Sequence, residues 1–167
     1  WRPRRPTCRE RWPTWSARSR NVGRERIDRG RPIGTIVLAA INARYRHTAF
    51  GLRYLQANLG RLQDSSVLVE SHLQQEVAAI ADRILEPNPT IVGLGVYVWN
   101  ATRALEVVKL LKARRPELLV VLGGPEVSYE WDQQEIVALA DYTVCGEGEG
   151  AFRELCEALL SGERPEG

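Results

Sequence analysis

The sequence lacks the features of a membrane-anchored or secreted protein. No apolar run approaches the roughly 20 residues that span a bilayer, and the first residues lack the apolar stretch of a secretory signal. Cysteine is scarce, and Cys8, Cys145 and Cys156 are too few for a disulfide framework and lack the spacing of metal ligands. We therefore expect a cytoplasmic protein without a membrane partner, and the length of 167 residues predicts a single hydrophobic core.

Aliphatic side chains are scarce in residues 1–34, which hold four prolines, three tryptophans and eleven arginines against three acidic residues. Such a segment buries too little apolar surface to offset the entropy of folding, so we expect it to be a disordered basic arm. Arginine interleaved with tryptophan is a composition that binds nucleic acid. No basic motif of defined spacing is present, however, and we do not expect a nucleic-acid partner.

From Gly34 onward, short apolar runs alternate with segments of helical periodicity. The runs predict five buried strands, at residues 35–41, 67–70, 90–99, 118–122 and 142–145. Apolar residues between them recur at spacings of three and four, as on the buried face of a helix. Five strands alternating with five helices predict an α/β fold: a doubly wound parallel sheet, flavodoxin-like or Rossmann-like, in the order 2-1-3-4-5.

Three of the predicted helices have recognisable starts or spacings. The first is predicted within residues 48–62, where leucines recur at helical spacing. Ser71 and Gln74 have capping-box spacing ahead of the second helix, and Asn100 is expected to be the N-cap of the third. These signals place the turns that connect strands to helices.

Ligands of this fold bind where the strand order reverses, at the carboxyl ends of the first and third strands. The loops 42–48, 97–100 and 123–128 lie over that crevice and hold the least ordinary residues of the chain. Gly93 and Gly95 in the third strand suggest close approach of a ligand or of neighbouring backbone. The Gly123-Gly124-Pro125 segment fits either a ligand site or simply a tight turn.

Four common occupants of the crevice are disfavoured by the residues there. A phosphoacceptor receiver needs an acidic cluster after the first strand, where this chain has Ile41 and Asn42. A flavodoxin needs a small, hydroxyl-rich loop, but residues 42–48 are bulky. The glycine-rich dinucleotide motif is absent, since no glycine follows the first strand before Gly51, and the chain has no P-loop lysine motif.

Four motifs lie at the carboxyl ends of the predicted strands one, three, four and five: NARYRHT at 42–48, GLGVYVWN at 93–100, GGPEVS at 123–128 and GEGE at 146–149. Together they resemble the N-terminal cobalamin-binding domain of B12-dependent radical SAM proteins. The resemblance covers about residues 35–161 and implies that these form the cobalamin-binding domain. Residues 162–167 would then begin a linker.

The resemblance also implies which residues contact the cofactor. The channel for its dimethylbenzimidazole tail would be lined by Gly123, Gly124 and Pro125, with Gly93, Gly95 and Val96 opposite. The corrin would meet Tyr97, Trp99 and Asn100, and its lower face Asn42, Tyr45 and His47. Residues 146–149, with Gly146, Glu147 and Gly148, would close the edge of the site, and Thr48, Glu126 and Ser128 would also bind the cofactor. Core packing of Tyr97 and Trp99, and helix capping by Glu147 and Glu149, remain open alternatives.

Histidine ligates cobalt in many B12 folds, which carry Asp-x-His-x-x-Gly. Here Tyr45 stands in place of the aspartate that would orient the imidazole of His47, and Gly51 comes one residue late. We therefore favour a hydrogen bond within the loop over cobalt ligation by His47, and we assign no metal ligand.

The catalytic module of the resembled family needs Cys-x-x-x-Cys-x-x-Cys to hold a [4Fe-4S] cluster, which Cys145 and Cys156 cannot supply. The resemblance implies that this domain presents cobalt, or its methyl group, to a radical SAM module or subunit outside this sequence. That partner would hold the iron-sulfur cluster and SAM and carry out methyl transfer, so we assign no catalytic residue here. The alternative is an α/β interaction or regulatory module without a cofactor, whose basic arm binds nucleic acid or an acidic partner.

Overall fold

The computed structural model describes residues 34–43, 49–128 and 133–165. Within these residues, five parallel strands form one sheet in the order β2-β1-β3-β4-β5, which confirms the predicted fold class. The strands are β1 (Ile36–Asn42), β2 (Ser66–His72), β3 (Ile91–Gly95), β4 (Leu119–Gly123) and β5 (Tyr142–Val144). The helices are α1 (Phe50–Ala57), α2 (Val77–Leu85), α3 (Ala101–Arg114), α4 (Glu135–Leu139) and α5 (Gly148–Ser161). The predicted disordered arm lies outside the described residues, except for Gly34.

Helices cover both faces of the sheet, because alternate residues of each strand point to opposite sides. One face packs against α2, α3 and α4 around residues such as Val92, Leu94 and Leu122. The other packs against α1 and α5 around Leu38 and Val121. Burial on both faces explains why β1 is apolar almost throughout. No helix in the described part of the chain is long and apolar enough to cross a membrane.

The first predicted helix is shorter than its leucine periodicity indicates. Helix α1 ends at Ala57, and a 3₁₀ turn occupies Gly60–Ser65. Gly60 adopts a positive φ of 56°, which no regular helix contains. Leu59 and Leu62 are nevertheless buried, so the periodicity identified core positions but not the end of the helix.

The predicted capping box before the second helix is wrong. Ser71 lies within β2, paired with Ile41, and α2 begins later, at Val77. Its N-cap residue is Glu76, which makes no side-chain capping hydrogen bond. The capping-box spacing of Ser71 and Gln74 does not start a helix here, because pairing with β1 extends β2 to His72.

Candidate functional site

The predicted site residues that the structure describes lie at or near the carboxyl edge of the sheet. Asn42 ends β1, and its carbonyl oxygen accepts a hydrogen bond from Leu73 N at 3.0 Å. The end of β3 leads into residues 96–100, and the end of β4 into residues 124–128. Tyr45, His47 and Thr48 lie outside the described residues.

Small residues form the carboxyl edge of the sheet on the face covered by α1 and α5. Gly95 of β3 is paired with Gly123 of β4, and Ala40 lies near the end of β1. A Cβ atom built on Gly123 would meet only the carbonyl oxygen of Val144, at 3.8 Å. The sheet backbone is therefore accessible there to a flat group, as the predicted tail channel requires.

Gly93 lies deeper in the same face of the sheet, next to Phe152 and Leu38. A Cβ atom on Gly93 would lie 2.8 Å from Cζ of Phe152 and 3.1 Å from Cδ2 of Leu38. The ring of Phe152 thus occupies the space next to this glycine, and Gly93 packs against the core. This contact of Phe152 was not predicted from the sequence.

Gly124 and Val96 have structural roles in the turn after β4 and in the core. Gly124 has a φ of 109°, and a Cβ atom there would lie 2.4 Å from the carbonyl oxygen of Val96. Backbone contact within the turn thus requires glycine at this position, which agrees with the alternative that this segment is a tight turn. The Val96 side chain is buried in the core on the α2 and α3 face, so it does not line the face that carries Gly123.

Hydrogen bonds hold the turn after β4. Val96 N donates to the carbonyl oxygen of Gly123 at 2.8 Å, which links the turn to the end of β3. Ser128 Oγ donates to the carbonyl oxygen of Gly124 at 2.9 Å, and Gln134 Nε2 donates to that of Glu126 at 2.7 Å. Ser128 and Glu126 therefore shape the turn, while the ring of Pro125 is exposed beside it.

Aromatic side chains lie above the glycine pair. The rings of Tyr97 and Trp99 are stacked, with centroids 4.6 Å apart and planes 7° apart. Tyr97 lies over Gly95, where a Cβ atom would be 3.3 Å from Cε2 of the ring, and its hydroxyl reaches towards Gly51 of α1. Trp99 is 52% exposed, so this stack presents an aromatic surface at the carboxyl edge.

Asn100 occupies the predicted N-cap position of α3, but its side chain does not cap the helix. Its Oδ1 accepts a hydrogen bond from Tyr97 N at 2.8 Å. Its Nδ2 donates to the carbonyl oxygens of Ile41 at 3.0 Å and Gly95 at 3.1 Å. Because Asn100 is only 1% exposed, its side chain does not reach a ligand surface as predicted.

The start of α5 forms the far side of the site. Gly146 has a φ of 78°, and Glu147 is the N-cap residue but makes no side-chain capping hydrogen bond. A Cβ atom on Gly148 would lie 3.5 Å from Cδ2 of Leu55, so α5 begins close to α1. Glu147 is exposed, and its side chain does not cap the helix.

Glu70 is a second structural residue that the sequence analysis missed. Its Oε1 accepts a hydrogen bond from Ala49 N at 2.8 Å, and its Oε2 lies 3.5 Å from the guanidinium of Arg53. It thus holds the first turn of α1 next to β2. The available signal was an acidic residue directly after the apolar run 67–69.

The described residues contain no cluster of histidine, cysteine, aspartate or glutamate arranged to hold a metal ion. The carboxyl edge of the sheet, with the Gly95–Gly123 pair and the Tyr97–Trp99 stack beside it, fits a large, partly flat organic cofactor better than a phosphate or a bare metal ion. This arrangement agrees with the cofactor that the four motifs imply.

Comparisons with known proteins identify the family. The family model described as the B12 binding domain matches residues 36–156. A cobalamin-dependent radical SAM methyltransferase of Streptomyces tokunonensis is 44% identical over 86 residues, covering 51% of this chain and 12% of that protein. The 2-(S-pantetheinyl)-carbapenam-3-carboxylate methyltransferase of Streptantibioticus cattleyicolor is 40% identical over 94 residues, covering 56% of this chain and 13% of that protein.

A solved structure gives the same assignment. The crystal structure of a cobalamin-binding protein from Desulfitobacterium hafniense superimposes with a TM-score of 0.54 at 26% identity. The match covers 74% of this chain and 57% of that one. The resemblance drawn from the four motifs is thereby confirmed. The chain belongs to the B12 binding domain family, and its cofactor is cobalamin.

Proposed function

We propose that this domain binds cobalamin at the carboxyl edge of its sheet and presents the cobalt, or a methyl group on it, to a radical SAM catalytic module for methyl transfer. The observation that carries the proposal is the pair of glycines, Gly95 and Gly123, beside the exposed aromatic loop. When bound, cobalamin supplies the methyl-transfer chemistry, while the protein orients the cofactor and excludes water.

The nucleotide tail is assigned to the space between Gly123 and the start of α5. Backbone is accessible next to Gly123, since the nearest atom to an added Cβ is 3.8 Å away. Phe152 fills the space next to Gly93, so the tail binds along the edge of the sheet and not deeper. We retain the lower-face assignment of Asn42, Tyr45 and His47, and the cofactor contact of Thr48, as part of this proposal.

An exposed apolar surface next to the site supports a catalytic partner. Phe50 and Tyr54 of α1 are 77% and 66% exposed, and Val98 and Trp99 of the neighbouring loop are also exposed. Apolar groups of this size gathered at one end of a domain favour a surface that another module covers. The two methyltransferase relatives are far longer than this chain, which matches 12% to 13% of their length. Their additional length could accommodate such a module.

We also propose residues 35–161 as the cobalamin-binding domain. The sheet begins at Ile36 and α5 ends at Ser161, and the family match covers residues 36–156. Residues 1–34 would form a separate arm, and 162–167 the beginning of a linker. Limited proteolysis followed by mass spectrometry tests these boundaries, which predict a resistant core starting and ending within a few residues of them.

Cobalamin retention by a Gly123→Leu variant tests the proposal. The added Cβ would make only ordinary contact, 3.8 Å from the carbonyl oxygen of Val144, and the rest of the side chain would occupy the proposed tail space, so the variant should fold but bind little cobalamin. Ala113→Leu is the matched control, because Ala113 is exposed near the end of α3, at the opposite edge of the sheet. Each purified protein is incubated with hydroxocobalamin and desalted, and its visible absorption spectrum is recorded.

The wild type and Ala113→Leu should both retain cobalamin in near-stoichiometric amount, with corrin bands that co-elute with the protein. A folded wild type without these bands would contradict cobalamin binding by the domain. Full retention by Gly123→Leu would instead contradict the location of the tail.

A further inference from the structure

We infer that Asn100 is a positioning residue of the cobalamin site: it holds the ends of β1 and β3 and the Tyr97–Trp99 loop in the arrangement that the cofactor requires, without contacting the cofactor. This inference rests on the proposed function, which places cobalamin at this edge. It differs from the prediction that Asn100 meets the corrin, because the side chain is almost fully buried.

Asn100 bridges the two strands at the point where they separate. The pairing of β1 with β3 ends at Ala39 and Leu94. The chain then continues towards α1 on one face after β1, and towards α3 on the other face after β3. The Nδ2 group donates one hydrogen bond to each side of this gap, to Ile41 and to Gly95. Both amide hydrogens are thus used to hold the floor of the site together.

The other half of the same amide determines the path of the aromatic loop. Oδ1 accepts from Tyr97 N at 2.8 Å, and the backbone N of Asn100 donates to the carbonyl oxygen of Tyr97 at 2.9 Å. These two bonds anchor the backbone of Tyr97, whose ring lies over Gly95 and stacks on Trp99. The buried Asn100 side chain therefore links the strand end that carries Gly95 to the loop that carries the Tyr97–Trp99 stack.

This coupling requires two donors and one acceptor on one short side chain. Aspartate has the same shape but no donor, so its carboxylate would face two carbonyl oxygens in a buried position. Loss of the donors leaves buried carbonyl groups without hydrogen bonds, which destabilises this arrangement. The loop must then be ordered when cobalamin binds, and the entropic cost of ordering it lowers the affinity for cobalamin. We therefore expect a substitution at Asn100 to weaken cobalamin binding more than a substitution elsewhere that lowers the free energy of unfolding by the same amount.

The test compares Asn100→Asp and Asn100→Ser with Asp141→Ala. Asp141 lies just before β5, and its carboxylate accepts from Val120 N and Lys112 Nζ, away from the carboxyl edge. The free energy of unfolding is measured by urea denaturation, and cobalamin affinity by titration followed by absorbance. Near-ultraviolet circular dichroism of the cofactor-free protein reports the packing of the Tyr97–Trp99 stack, which a general loss of stability leaves intact in the folded state.

We expect both Asn100 variants to lose aromatic circular dichroism and to bind cobalamin at least about tenfold more weakly, a difference of roughly 1.4 kcal/mol. Asp141→Ala should lose comparable stability but keep both the spectrum and the affinity. If Asn100→Asp does not fold, Asn100→Ser decides the question, because serine is uncharged and is favoured at an N-cap.

Wild-type affinity and an unchanged spectrum in a folded Asn100 variant would overturn this inference. An affinity loss in Asp141→Ala equal to that of the Asn100 variants would do the same. If these results occur while Gly123→Leu still blocks binding, the proposed function stands and only the role of Asn100 fails. A wild type that retains no cobalamin would overturn both.

Discussion

The ring of Phe152 in α5 lies directly against the backbone of Gly93 in β3. A Cβ atom on Gly93 would be 2.8 Å from Cζ and 3.0 Å from Cε2 of that ring. Since Phe152 is 3% exposed and packed in the core, the ring has little freedom to withdraw. If the nucleotide tail binds at this edge, as we propose, this contact limits how deep the tail reaches, and Gly123 is the glycine that is left accessible, since the Tyr97 ring lies over Gly95.

Gly93→Ala should destabilise the domain by about 1–3 kcal/mol, because the added methyl group overpacks a filled core. Urea denaturation of the cofactor-free protein measures the change. Gly150→Ala is the control, since nothing lies within 4 Å of its added Cβ and alanine favours a helix. The double variant Gly93→Ala/Phe152→Leu should recover part of the loss expected from adding the two single changes. An unfolding midpoint for Gly93→Ala equal to that of the wild type would contradict the contact.

Gly123, the last residue of β4, and Gly124, the first residue after it, should respond differently to the same substitution. Gly124→Ala should cost about 1–3 kcal/mol or more, since alanine is strained at a φ of 109° and its Cβ would strike Val96 backbone. Gly123→Ala should change stability far less, because its added Cβ finds only ordinary contact. Thermal unfolding of the two variants side by side provides the measurement. Equal losses would show that the turn does not require glycine specifically at 124.

Burial raises the pKa of the Cys156 thiol to about 12, with the nearby charge of Glu157 as a smaller cause. The folded protein therefore keeps the proton that the unfolded chain releases above about pH 9. This contribution to stability is fully present below that pH and declines as the pH rises towards 12, by at most about 1.4 kcal/mol per pH unit.

Urea denaturation between pH 8 and 10.5 checks this dependence, with Cys156→Ala as the reference. The difference between the two proteins should change with pH in the stated direction. Alkylation of Cys156, located by mass spectrometry of peptides, should also be slow in the folded protein at pH 8. Fast alkylation without unfolding would contradict the buried thiol.

Asp141→Ala should destabilise the domain by about 1–3 kcal/mol, because Val120 N loses its acceptor within the core. Lys112→Met removes only the partly exposed ion pair and the lysine hydrogen bonds to the backbone, and it should cost less. Chemical denaturation separates the two contributions. An equal or larger loss in Lys112→Met would assign the stabilisation to the lysine instead.

The sequence predicted the five strands and their order, since apolar runs and helical spacing are local properties of the chain. The same local signals failed at Ser71 and Gln74, where pairing with β1 extended β2. For Gly93 and Gly124 they left a ligand, neighbouring backbone or a tight turn open, because a missing side chain in the sequence does not show what fills the space.

By itself, the sequence determined the alternating α/β pattern and, through its four motifs, the family to which the domain belongs. Only the tertiary structure decided which glycines face open space and which accommodate Phe152 or Val96. It also decided the role of Asn100, whose amide bonds to Ile41, 59 positions earlier in the chain. The reason is physical. A buried amide forms hydrogen bonds with the backbone groups that the completed fold brings within reach, and the spacing of residues along the chain does not show which groups those are.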